Sequence, residues 1–106
     1  DDPEYQAQVD EIRRNVALIH SNLALCYLKE ENYEACQEQS EEVLKYDKNN
    51  AKAFFRIAKY HRMVLNYGVA INYLKKAIEI EPKDPLIHKE YNEVRRLIEE
   101  RVTKSK

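Results

Sequence analysis

With 106 residues, one glycine and three prolines, the chain is limited to one domain and has too few turn-formers for a protein of strands and hairpins. Charged residues make up 35% and apolar residues 43%, with no run approaching the ~18–20 apolar residues of a membrane span and no signal-peptide pattern. The net charge of −1 conceals a strong segregation: residues 1–47 hold twelve acids against four Lys/Arg, residues 48–78 hold no acid and seven Lys/Arg, and residues 79–106 hold seven of each.

The first element begins at Asp2-Pro3-Glu4, where a capping carboxylate precedes a proline at the first helical position. No breaker follows until about Glu30, which predicts one long helix over residues 3–30. Val9, Ile12, Val16 and Ile19 form an apolar stripe on it. The chain opens on Asp1 rather than Met, and a segment of a longer protein is expected. With a preceding unit missing, that stripe predicts self-association of the chain through its first helix, with exchange of helices between copies as one route.

From Ala17 onward the sequence repeats with a period of 34. Residues 17–50 laid over 51–84 place Leu23-Ala24 on Ile57-Ala58, Asn32-Tyr33 on Asn66-Tyr67, Cys36 on Ala70 and Val43-Leu44 on Ala77-Ile78. Each unit reads as a helical hairpin, with small residues where two helices approach closely and large ones where they interdigitate. Asn32 and Asn66 stand at the turns, as N-caps of the following helices. Asp84-Pro85 starts the last helix, about residues 85–103, with Ile87, Tyr91, Val94, Leu97, Ile98 and Val102 as its apolar stripe.

Tyr27, Tyr33, Cys36 and Val43, then Ile57-Ala58, Tyr67, Ala70, Leu74, Ala77 and Pro82, resemble the tetratricopeptide-repeat signature. The fold class that this implies is all-α, with antiparallel helical hairpins stacked as a solenoid and closed by a solvating helix. Ser40, Lys48, Glu31 and Leu65 depart from the pattern, standing for a large apolar residue, the closing proline and the turn glycines.

In such a solenoid the first helix of each unit lines the concave face, which places Lys52, Phe55, Arg56, Lys59, Arg62 and Met63 there in the second unit. In the first unit the same places hold Leu18, Ser21, Asn22, Leu25, Leu28 and Lys29. Lys52, Arg56 and Lys59 are three and four residues apart with no acid within a turn, an arrangement that costs a few tenths of a kcal/mol per like pair. A single exposed Lys reads best as a solvated residue; the whole set reads better as the site of a bound anion.

Asn22 and Arg56 are separated by one full period, and Lys52 precedes Arg56 by one turn. This set resembles the carboxylate clamp of co-chaperone tetratricopeptide domains, which grip the Glu-Glu-Val-Asp C-terminus of heat-shock chaperones. The resemblance implies that Asn22, Lys52 and Arg56, with Lys59 beside them, hold carboxylates of such a tail. Leu25 and Phe55 are the candidates for its apolar contact. Lys52→Ala or Arg56→Ala would then each cost about 1.5–3 kcal/mol of binding with little effect on stability. The family clamp also uses a Lys and an Asn from a preceding unit, so this chain alone is expected to bind weakly or not at all. The long first helix, Asn22-Leu23-Ala24-Leu25-Cys26-Tyr27-Leu28 and Asn50-Ala51-Lys52-Ala53-Phe54-Phe55-Arg56 are most similar to the large immunophilins, which carry a separate FK506-binding peptidyl-prolyl isomerase domain. That resemblance implies a cytoplasmic setting, with the nucleus as a second one.

Other functions find less support. The three histidines, His20, His61 and His88, make no nucleophile, base or metal set, and the single Gly68 excludes a glycine-rich phosphate loop. No catalytic residue, cofactor or metal is expected. Cys26 and Cys36 lack metal spacing and read as core residues, which suits a reducing compartment. A nucleic-acid partner is disfavoured because the basic block is one narrow stripe on a chain that is not basic overall. A generic scaffold whose groove takes an internal acidic or helical segment stays open. Calmodulin binding by the closing helix, where Arg95, Arg96 and Arg101 are balanced by acids, is disfavoured.

Overall fold

The computed structural model describes residues 2–104, which form five helices: α1 Pro3–Lys29, α2 Tyr33–Tyr46, α3 Ala51–Met63, α4 Tyr67–Ile80 and α5 Pro85–Lys104. Each helix packs on the next, while α3 also touches α1 and α5 across the inner face. The result is an elongated stack of 62 × 27 × 21 Å. Its length comes largely from α1, whose 27 residues correspond to about 40 Å.

Helix starts follow side-chain capping. Asp2 Oδ1 accepts from Glu4 N at 3.0 Å, Asn32 Oδ1 from Ala35 N at 3.2 Å, and Asp84 Oδ1 from Leu86 N at 2.9 Å. Asn66 occupies the N-cap of α4 but its side chain makes no capping bond, contrary to the expectation drawn from its match with Asn32. Asn50 caps α3 instead, accepting from Ala53 N at 2.9 Å while its own amide donates to Asp47 at 3.1 Å. The turns that lack glycine keep the glycine conformation: Glu31 and Leu65 have φ of 59° and 65°.

Alanines set the spacing between helices. Ala24, Ala58, Ala70 and Ala77 are fully buried, and one core joins Ala51, Ala58, Ala70, Leu74 and Ala77 to Ile87 and Val94 of α5. A second cluster of Ala17, Val43 and Ala53 seals the two units together. Ser40 is buried where the second unit has Leu74, and its hydroxyl is satisfied by the Cys36 carbonyl at 2.8 Å. Cys36 is buried, and burial pushes its thiol above the ordinary value. Cys26 corrects the sequence reading: it is exposed, because it lies on a face of α1 that no other described element covers.

Candidate functional site

The concave face is built by α1, α3 and the start of α5. Four of the six candidate residues, Leu25, Lys52, Phe55 and Arg56, line a pocket of about 170 Å³ together with Leu28, Asp84, Leu86 and Ile87. The 34-residue period makes α1 and α3 the first helices of neighbouring units, which brings Leu25 of α1 beside Lys52, Phe55 and Arg56 of α3. Lys52 is exposed and also borders a wider hollow of about 600 Å³ with Arg14, Leu18, Ser21, Asp47, Glu81 and Asp84.

Arg56 is the unusual member of the set. It is only 7% exposed, and its Nη1 donates to both the carbonyl and the hydroxyl of Ser21, each at 3.0 Å. None of the ion pairs among the described residues includes it. Burial holds its guanidinium below the ordinary arginine value, and no carboxylate offsets the effect. A buried cation with neutral partners is costly, and an arriving anion would relieve that cost.

Asn22 and Lys59 differ from that group. Asn22 is exposed, next to the Ser21 that anchors Arg56, and is not among the residues lining the pocket. Lys59 lies 5.1 Å from the centre of the Phe55 ring and pairs with Glu90 of α5 at 3.4 Å. Arg62 donates to the same carboxylate through Nε. Glu90 is buried to 6% exposure, and the pattern of charges along α3 alone does not contain it. Its signal was present in α5 itself: Glu90 shares a face with Ile87 and Val94, a place where an acid needs a cation from another helix.

The histidines serve packing. His20 stacks on Tyr46 with centroids 6.3 Å apart and bonds Gln39 at 2.7 Å, while His88 bonds the Pro82 carbonyl at 2.6 Å. His61 stacks on Tyr73 at 5.7 Å, and its Nδ1 is buried without a partner. Among the described residues no grouping of His, Cys, Asp and Glu could hold a metal ion, and no helix is long and apolar enough to cross a membrane.

The two successive helical hairpins are matched by sequence comparison: the tetratricopeptide-repeat pattern fits residues 17–50 and 51–84. The chain belongs to the tetratricopeptide-repeat family. It is 39% identical to Outer envelope protein 61 of Arabidopsis thaliana over 66 residues, which is 62% of this chain and 12% of that protein. It is 32% identical to FK506-binding protein 59 of Drosophila melanogaster over 73 residues, covering 69% of this chain and 17% of the relative. Among solved structures, the C-terminal tetratricopeptide-containing domain of a Plasmodium falciparum putative FK506-binding protein superposes with a TM-score of 0.79 at 26% identity. That match covers 97% of this chain and 66% of the other. This tetratricopeptide segment is therefore a protein-interaction module similar to those of the FK506-binding immunophilins, and it spans a small part of the relatives' length.

Proposed function

We propose that the concave groove binds the acidic, free C-terminal tail of heat-shock chaperones, of the Glu-Glu-Val-Asp type, and that the chain acts as a co-chaperone module in the cytoplasm or nucleus. The observation that carries this reading is the Arg56 guanidinium, buried beside an open pocket and in no ion pair among the described residues, although Asp84 lines the same pocket. Arg56 takes a carboxylate through the N–H groups not used by Ser21, Lys52 supplies a second, solvent-facing cation, and Asn22 donates its amide at the edge. The apolar floor of Leu25 and Phe55 receives an aliphatic side chain between the carboxylates. Charge-assisted bonds of this kind are about twice as strong as neutral ones, which suits a short ligand with several carboxylates. By similarity to the FK506-binding relatives, a peptidyl-prolyl isomerase domain on the same polypeptide is part of the proposal.

The test is a titration at low salt, on the chain with a preceding repeat restored, of an acidic pentapeptide carrying either a free or an amidated C-terminus. Removal of the terminal charge is expected to weaken binding about tenfold, the equivalent of ~1.4 kcal/mol. Equal affinity for the two peptides would overturn the tail reading in favour of an internal acidic segment.

A further inference from the structure

One face of α1 is apolar and bare along most of the helix. Tyr5, Val9, Ile12, Val16, Ile19 and Leu23 follow one another at alternating steps of four and three residues, and Cys26 completes the series. That spacing keeps a single seam turned toward a partner helix in a coiled coil. Ile12 is 61% exposed and Ile19 59%, with Tyr5, Leu23 and Cys26 exposed as well. An apolar strip of this length on a soluble chain marks an interaction surface.

The internal repeat shows what such a face does when it is covered. One period later, Ile19 and Leu23 fall on Ala53 and Ile57 of α3, which are 1% and 0% exposed because the preceding hairpin packs over them. Among the described residues only α2 and α3 pack against α1; Val9 and Val16 of the seam are half-buried, and Tyr5, Ile12, Ile19, Leu23 and Cys26 stay exposed.

We propose that the seam is covered by α1 of a second copy, in an antiparallel two-stranded coiled coil. Length argues for a copy of α1. The stretch from Tyr5 to Cys26 runs about 30 Å. The helices of 13 or 14 residues that make up the rest of the repeat cover only about 20 Å of it. Charge agrees, since the seam is bordered by Gln8, Asn15 and Asn22 on one side and by Gln6 and Arg13 on the other. Two copies therefore meet without a block of like charge.

Direction follows from where the rest of the molecule sits. The rest of the chain packs closely on α1 mainly from Val16 onward, since residues 2–8 and 11–15 are exposed. In an antiparallel pair the free half of each α1 lies along the Ile19–Cys26 stretch of the other, and the two bodies occupy opposite ends. The two-fold axis passes near Val16, and the contact is self-complementary.

Sedimentation equilibrium of the 106-residue chain is expected to return a dimer at high micromolar concentration. Ile12→Lys and Ile19→Lys should each raise the dissociation constant at least tenfold with an unchanged helical circular dichroism spectrum, because both residues are exposed in the single chain. Direction is read by oxidation: Tyr5→Cys should crosslink to Cys26 of the second copy, while two Cys26 thiols lie about 30 Å apart and should not join in the unsubstituted chain. A monomer at high concentration would overturn the proposal and assign the seam to a helix of another protein. A dimer indifferent to both lysines would also overturn it. Crosslinking through Cys26 alone would overturn the antiparallel direction.

Discussion

Arg56 of α3 is tied to Ser21 of α1 by two hydrogen bonds from one guanidinium nitrogen, so the residue proposed to hold a ligand carboxylate also holds two helices together. The sequence reading treated Arg56 as a surface cation with little part in stability, and its burial corrects that. Arg56→Ala is expected to lose about 1.5–3 kcal/mol of peptide binding and to lower folding stability by about 1–2 kcal/mol, because Ser21 loses a charged donor and a space opens between α1 and α3. Lys52→Ala, at an exposed position, should weaken binding without moving the urea midpoint. Measuring both variants by calorimetry and urea unfolding separates the roles; equal stability of the two would contradict the anchoring role of Arg56.

Glu90 draws Lys59 and Arg62 away from solution and fastens α5 across the end of the basic stripe. Replacing it by Ala leaves two cations of one face unpaired. The expected result is a stability loss of about 2 kcal/mol, below the usual range for a broken buried pair because both cations keep some contact with water. The same variant should bind the acidic peptide more tightly, since the stripe then has two more free charges. An unchanged affinity would mean that the ligand never reaches the Lys59 end of the groove.

The period of 34, the helical hairpins and the long first helix were legible in the sequence because small and large residues recur at fixed places in both units. Leu25, Lys52, Phe55 and Arg56, which line one pocket, could be placed on one face by the same arithmetic, whereas Asn22 lies outside that pocket. What escaped were relationships that run between helices: Arg56 reaching Ser21, and Glu90 of α5 meeting Lys59 and Arg62. These depend on side-chain reach and on how α5 closes over α3, which a pattern read along one helix at a time does not contain. Cys26 was misread for a related reason, as helical periodicity marks an apolar face without saying whether anything covers it.

Local capping separates two asparagines that look alike in the sequence. Asn50 accepts from Ala53 N, and Asn50→Ala should cost about 1 kcal/mol. Asn66 makes no such bond, so Asn66→Ala should cost a few tenths of a kcal/mol at most. Its neighbour Leu65 offers the opposite effect. With φ of 65° and an exposed side chain, Leu65→Gly should relieve strain and raise stability by about 1 kcal/mol. Thermal or urea unfolding of the three variants checks the order; a stability loss in Leu65→Gly would show that chain entropy outweighs the strain.

His61 gives the fold a dependence on pH whose sign follows from its surroundings. Burial lowers its pKa below the ordinary 6.5, with the nearby Glu41 opposing the shift, and its Nδ1 has no partner to share a proton with. A base whose folded value is depressed takes up its proton more readily in the unfolded chain. Stability is therefore full above about pH 6.5 and falls as the pH drops through the lowered folded value. His61→Phe keeps a ring against Tyr73 and removes both the orphan nitrogen and the titration. The unsubstituted chain should lose more of its unfolding free energy than His61→Phe between pH 7.5 and pH 5, a range in which the carboxylates common to both contribute equally. Parallel losses in the two proteins would assign the pH dependence to those carboxylates and clear His61 of any part in it.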